Sequence, residues 1–213
     1  MFMAYTFPLA ERIRDKIHYT GYVVDQTGRG TINTGQGSGE VIVSAGGGAV
    51  GAGLLKTAIA ARPLSTMSSR TWRILVGVTV NQAAFDDLAS MGRPGIIVER
   101  SRPDFTALVT NAALSISQGG YNTVMEVLNA GTRAVIVPYA GGAETEQTLR
   151  AKELARRTSI EVVAEQSLSP QTLAAAVDTA SRGHPPENSM LNTNGAANGA
   201  AIIADWAAAV QWV

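Results

Sequence analysis

The sequence VIVSAGGGAVGAGLLKTAIAA, residues 41–61, joins an apolar run, a glycine-rich turn and a segment with apolar residues on one helical face. The apolar run predicts a strand, and the spacing over 49–61 predicts a helix. Gly46, Gly48 and Gly51 satisfy the G-x-G-x-x-G pattern of dinucleotide-binding turns. This pattern is weak evidence by itself, because an ordinary tight strand-to-helix turn also accounts for it.

The same alternation of apolar runs and helical segments continues along the chain. Strands that are apolar throughout indicate a parallel sheet covered on both faces. The sequence therefore predicts an α/β fold, a doubly wound Rossmann-like parallel sheet of about six or seven strands with helices on both faces. The predicted strands are 17–24, 40–45, 72–78, 95–100, 114–117, 133–138 and 160–164. The predicted helices are 8–16, 49–61, 81–91, 104–111, 121–130, 145–157, 170–181 and 200–212.

Composition narrows the classes of function. The 213 residues suit one large domain or two small ones, and the 17 basic and 17 acidic residues cancel. A chain without net charge has no general attraction for nucleic acid or an anionic membrane, so any anion must be held by a local site. The absence of cysteine excludes disulfide and thiolate chemistry, and the first residues lack the pattern of a signal peptide. We expect a cytoplasmic protein without a membrane span.

The dinucleotide interpretation fails its most specific test. A nicotinamide-binding fold needs an acidic residue about 20 positions beyond the glycines to hold the ribose hydroxyls. Between Glu40 and Asp86 the sequence contains no Asp or Glu. The glycines then indicate only a close approach of the backbone to a ligand, or a tight turn.

A second glycine turn carries more information. The segment 115–154 reads SISQGGYNTVMEVLNAGTRAVIVPYAGGAETEQTLRAKEL, a strand, Gly119-Gly120 and a helix, followed by a further strand and helix. This block resembles the donor-binding signature of GT-B glycosyltransferases, and it is most similar to the group that contains the bacterial peptidoglycan N-acetylglucosaminyltransferases, glycosyltransferase family 28. The match to the first part of the signature lies at Gly120, Tyr121, Asn122, Thr123 and Glu126, and Gly131, Glu146 and Gln147 match later positions. Gln118 and Arg133 depart from a histidine and a proline of the related plant signature.

The resemblance implies roles for these residues. Glu126 would accept hydrogen bonds from the ribose hydroxyls, and the amides of 119–122 with Thr123 would hold the diphosphate at a helix N-terminus. Glu146 and Gln147 would contact the sugar. The opposite wall of the cleft would be formed by Ser44, Gly46, Gly47 and Gly48. The nucleobase would be held by backbone between Val98 and Arg100. The diphosphate site would comprise Gln118, Gly119, Gly120, Tyr121 and Asn122.

Structural explanations exist for several of these residues. The stretch from Thr123 to Glu126 also fits a capping box, in which Glu126 bonds only to the start of its own helix. Glu146 also fits a solvated first-turn carboxylate. Asp86-Asp87 is expected on a hydrated helix face, and the two histidines, His18 and His184, do not suggest a metal site.

The resemblance also implies that half of an enzyme is absent from this sequence. GT-B enzymes have two Rossmann-like domains, and this chain would supply the donor-binding one, with a lead-in at 1–15, the domain at 16–213 and a C-terminal helix. No residue here is assigned as the catalytic base. The implied activity is metal-independent, inverting hexosyl transfer from a UDP-sugar such as UDP-GlcNAc, without a cofactor and with a missing acceptor domain or partner chain. The alternatives are a sugar-nucleotide epimerase or hydrolase and a non-catalytic donor-binding subunit.

Overall fold

A six-stranded parallel sheet forms the centre of the fold. The computed structural model describes residues 9–24, 35–46, 51–141, 146–186 and 192–209. The strands in these residues are β1 (Val41–Ser44), β2 (Trp72–Val76), β3 (Ile96–Arg100), β4 (Leu114–Gln118), β5 (Ala134–Val137) and β6 (Glu161–Val162). Their order in the sheet is β3-β2-β1-β4-β5-β6, which confirms the predicted doubly wound α/β architecture.

Helices cover both faces of this sheet. Along β1 the buried side chains alternate, so that Val41 and Val43 join one apolar cluster and Ile42 joins the other. The α-helices of the described chain are α1 (Ala52–Ala61), α2 (Gln82–Ser90), α3 (Phe105–Asn111), α4 (Tyr121–Ala130), α5 (Glu146–Arg157), α6 (Pro170–Arg182) and α7 (Gly195–Ala209). The first cluster includes residues of α1, α2 and α6, and the second includes residues of α3, α4 and α5.

The segment 17–24 differs from its prediction. It lies outside the sheet, and in the described chain its pairing is a single antiparallel bridge between Val23 and Asn194. The Tyr22 amide donates to the Asn192 carbonyl at 2.8 Å, and the Tyr22 carbonyl accepts the Gly195 amide at 3.0 Å. The prediction of a strand was wrong because these bonds go to the start of α7 instead of to a neighbouring strand.

Both ends of the described chain show smaller differences. The predicted helix at 8–16 is a 3₁₀ helix over Ala10–Lys16, and α7 begins at Gly195, before the predicted 200. Residues 1–8, where the predicted lead-in and first helix begin, and residues 210–213, where the predicted last helix ends, lie outside the described residues. Among the helices of the described ranges, none has both the length and the hydropathy that crossing a bilayer requires.

The pairing of β1 with β4 decides where a ligand can bind. Ser44 and Ser117 are partners at the carboxyl ends of these two strands. The chain leaves β1 toward β2 on one side and reaches β4 on the other, so this is the topological switch point of the sheet. Ligands of open α/β sheets bind in the crevice outside such a point.

Candidate functional site

The turn after β1 approaches the crevice with little side-chain bulk. The hydroxyl of Ser44 is buried and accepts the Gly46 amide at 3.4 Å, and Gly46 has a φ of +73°, which favours glycine. A side chain at Gly51 would overlap the Cβ of Ala45, so this glycine allows α1 to pack closely on β1. Gly47 and Gly48 lie outside the described residues.

The turn after β4 leads directly into a helix. Gln118 ends β4, and Gly120 is the N-cap of α4, which begins at Tyr121. Because glycine has no side chain, the first amides of α4 are not covered by a capping group of their own N-cap residue. A helix start of this kind favours an anion.

This boundary excludes the capping-box interpretation of Glu126. Thr123 is the third residue of α4, not its N-cap, and Glu126 is the sixth. A capping box pairs the N-cap with the third helical residue, so Glu126 lies too far along the helix to take part. The carboxylate is instead three residues beyond Thr123, on the same side of α4.

A cavity of about 220 Å³ lies between the two turns. Five predicted site residues line it: Gly46, Gln118, Gly120, Thr123 and Gln147. Ala45 and Tyr139 complete the lining. Gln118 also lines an adjoining cavity of about 390 Å³ together with Gly51, Thr57 and Glu165. The glycine turns at Gly46 and at Gly119-Gly120, which are far apart in the sequence, thus share one crevice.

Four other predicted site residues are not among those that line this cavity. Tyr121 is exposed at the start of α4, and its hydroxyl accepts the Val23 amide at 3.0 Å. Asn122 follows it on the exposed side, and Gly119 is buried beneath them. Glu126 is partly buried and is not among the residues that line the cavity. Their predicted contacts with a nucleotide stay predictions.

The predicted nucleobase site is not brought to this cavity. Val98 and Arg100 lie on β3, an edge strand separated from β1 by β2. Val98 packs against the apolar core. The Arg100 guanidinium donates to the Val80 carbonyl and to Gln82, and it stacks 4.3 Å from the centroid of the Phe85 ring. These contacts hold Arg100 against the start of α2.

The start of α5 is held by contacts that the sequence did not predict. Gln147 accepts the Tyr139 amide at 3.1 Å, and Glu165 accepts the Ala140 amide at 2.6 Å. Glu146 forms an ion pair with Arg150 one turn along the helix. The i,i+4 spacing of Glu146 and Arg150 is visible in the sequence, but the contacts of Gln147 and Glu165 join separate segments and give no local signal.

Arg150 is the functional candidate that sequence reasoning missed. Its side chain is 7% exposed, and its Nη1 donates to the carbonyl oxygen of Gly119 at 2.8 Å. Its guanidinium carbon lies 5.3 Å from the centroid of the Tyr121 ring, within the range of a cation–π contact. A guanidinium paired with Glu146 is therefore held against the glycine turn that precedes α4.

Two side chains with shifted pKa values, Arg73 and Asp178, are not among the residues that line this cavity. Hydrogen bonds to Glu40, which outweigh the effect of burial, raise the pKa of the Arg73 guanidinium on β2. Burial disfavours the charge on Asp178, but hydrogen bonds from Ser65 and Thr66 hold its pKa below the usual value. Within the described ranges, no group of three or more His, Cys, Asp or Glu residues is arranged to hold a metal ion.

Comparisons with known proteins match this architecture. Residues 43–205 match the model of the glycosyltransferase family 28 C-terminal domain. A segment of 105 residues is 31% identical to the UDP-N-acetylglucosamine–N-acetylmuramyl-(pentapeptide) pyrophosphoryl-undecaprenol N-acetylglucosamine transferase of Syntrophotalea carbinolica, covering 46% of this chain and 29% of that protein. The chain therefore matches less than a third of the length of this curated relative.

Two solved structures show the same fold. The structure of MurG from Acinetobacter baumannii has a TM-score of 0.55 and 20% identity, over 76% of this chain and 44% of that one. The calicheamicin glycosyltransferase CalG4 has a TM-score of 0.57 and 17% identity, over 91% of this chain and 45% of that one. In both, the similarity covers less than half of the larger protein.

Proposed function

The chain belongs to the family of glycosyltransferase family 28 C-terminal domains, and we propose that it is the donor-binding half of a glycosyltransferase. The observation that carries this proposal is the shared cavity between the turns after β1 and β4, at the switch point of the sheet. The donor is a nucleotide-diphosphate sugar, and we propose a UDP-sugar such as UDP-GlcNAc.

The start of α4 suits the diphosphate. Its first amides and its helix dipole favour negative charge, and Thr123 adds a hydroxyl on the cavity wall. These groups would stabilise the charge that develops on UDP as the bond to the sugar breaks. The transfer proposed is inverting and needs no metal ion, with the acceptor hydroxyl attacking from the face opposite the departing UDP.

Glu126 and the start of α5 are proposed to hold the two sugars of the donor. The Glu126 carboxylate would accept the ribose hydroxyls, because one carboxylate can accept from both groups of a diol. Gln147 lines the cavity, and Glu146 keeps a half-exposed carboxylate beside it, so both suit contacts with the transferred hexose. The backbone at Val98–Arg100 remains our proposal for the nucleobase.

An acceptor-binding half is proposed to complete the enzyme, either in the same polypeptide or as a partner chain. The short match to the curated relative supports this, since the activity named for that protein belongs to its whole length. Helix α7 also exposes apolar side chains, with Ile203 at 65% and Trp206 at 55% exposure, and we propose that this face contacts the other half. The proposed location is the cytoplasm.

Calorimetric titration with UDP, UDP-GlcNAc and ADP tests the donor site. We expect binding of both uridine nucleotides, and the variant T123V should weaken UDP binding about fivefold to tenfold, the loss of roughly one hydrogen bond. T110V is the matched control, because Thr110 bonds within α3 to the carbonyl of Thr106. Absence of UDP binding at millimolar concentration would overturn the proposal.

A second assay separates transfer from other reactions of UDP-sugars. The chain is incubated with UDP-GlcNAc without an acceptor, and the sugar is followed by proton NMR. We expect the donor to remain intact, since the proposal gives this chain only the donor-binding half. Formation of an epimer or of free UDP would instead identify an epimerase or a hydrolase.

A further inference from the structure

The side chain of Arg150 is more buried than that of an ordinary arginine on a helix surface. Its helix α5 also carries Arg156, whose side chain is 79% exposed and pairs with Glu153. Burying a guanidinium is costly unless its charge and its N–H groups are compensated. The partners of Arg150 include three groups of the described residues: the Gly119 carbonyl, the Glu146 carboxylate and the Tyr121 ring. All three belong to segments assigned above to the donor site.

The bond to Gly119 restricts the peptide that precedes α4. In a planar trans peptide the carbonyl and the following N–H point in opposite directions. Because the Gly119 oxygen is held by Arg150, the Gly120 N–H must point away from Arg150. Gly120 lines the cavity between the two turns. Two consecutive glycines leave this peptide free to rotate unless another group holds it.

We infer that Arg150 is a positioning residue for the diphosphate, which holds the Gly119–Gly120 peptide so that the Gly120 N–H faces the cavity. The inference rests on the proposed function for the identity of the ligand. Arg150 does not itself line the cavity, so its action passes through the backbone that it holds. The charge of Arg150 is paired with Glu146, so the proposed effect is carried by the bond to Gly119.

The planar shape of the guanidinium matters for this role. One Arg150 nitrogen donates to Gly119 while another pairs with Glu146. A lysine carries the same charge, but its single ammonium cannot reproduce this fork. R150K therefore separates the effect of charge from the effect of positioning, and R150M removes both while keeping a long side chain.

The test measures binding of UDP and of uridine by NMR-detected titration to the 213-residue chain and its variants. We expect R150M to weaken UDP binding tenfold or more and to change uridine binding less than twofold, because only UDP has the diphosphate. R150K should also weaken UDP binding, by most of the factor expected for R150M. The control R156M should bind both ligands as the unmodified chain does. Equal losses for UDP and uridine, or an unchanged UDP affinity in R150M, would overturn the inference.

The backbone order parameter of Gly120, measured by NMR relaxation of its amide, gives a readout that needs no ligand. R150M should lower this order parameter, because the Gly119–Gly120 peptide loses its bond to Arg150, and R156M should not. If the unmodified chain fails to bind UDP, the proposed donor is wrong, and this result still decides whether Arg150 positions the turn. An unchanged order parameter in both R150M and R150K would show that it does not.

Discussion

Replacing Glu126 by alanine tests the proposed ribose contact and the excluded capping role together. As the sixth residue of α4, Glu126 lies beyond the positions at which a side chain can cap the helix. Alanine is also the best helix former, so the change in helix propensity should not lower the free energy of unfolding of E126A. A capping residue would instead cost about 0.5–2 kcal/mol of stability with little effect on nucleotide binding.

The expected loss in binding follows from the charge of the carboxylate. A hydrogen bond to a charged group contributes about 1.5–3 kcal/mol, and Glu126 is partly buried, so screening by water is incomplete. Loss of the ribose contact should therefore raise the Kd for UDP about 10-fold to 150-fold. E153A, which removes a glutamate paired with Arg156 on α5, is the control and should bind UDP normally.

The assay is calorimetric titration with UDP and with 2′,3′-dideoxy-UDP, which lacks both ribose hydroxyls. If Glu126 accepts from the ribose, E126A should weaken UDP binding but leave binding of the dideoxy nucleotide nearly unchanged. The same fold-change for both ligands would mean that Glu126 acts through the shape of α4. A Kd for UDP within twofold of the unmodified chain would refute the assignment.

Three further predictions concern the framework around the cavity. G51A should lower the free energy of unfolding in urea by about 1–3 kcal/mol, because the new methyl overlaps Ala45, and the double variant A45G/G51A should recover part of it. R73M should cost about 3 kcal/mol in the same assay, since it leaves two partly buried carboxylates without their shared partner, and a loss below 1 kcal/mol would contradict this. D178N should lower the melting temperature at pH 7, because three hydrogen bonds favour the ionised carboxyl. The pKa of Asp178 is lower in the folded chain than in the unfolded chain, where it is about 3.9. The stabilisation is therefore present above the unfolded pKa and is lost as the pH falls through the folded pKa. The melting temperatures of D178N and of the unmodified chain should converge in that pH range.

Most of the framework could be predicted because its signals are local. Each apolar run from 40 to 164 that was predicted as a strand overlaps one of the six strands, and β4 extends one residue beyond its prediction, to Gln118. Gly131 ends α4 with a φ of +66°. The lack of an acidic residue between Glu40 and Asp86 removes the most specific support for the dinucleotide interpretation. These conclusions depend on short spacings along the chain.

The errors arose where a distant segment competes with a local preference. The run 17–24 has strand-like residues, but its backbone bonds to the start of α7. Gly195 and Gly199 lower helix propensity, yet α7 includes both, with Asn198 donating to the Thr20 carbonyl at 2.8 Å. In each case a contact across more than 170 residues decides the local structure.

The sequence by itself determined the alternation of strands and helices, the two glycine turns and the family resemblance of residues 115–154. Only the tertiary structure decided that the two turns share a cavity, that Glu126 lies beyond the helix cap and that Arg150 is buried under Gly119. The physical reason is that periodicity and turn chemistry act within a few residues, whereas burial and strand order depend on contacts between residues far apart in the chain.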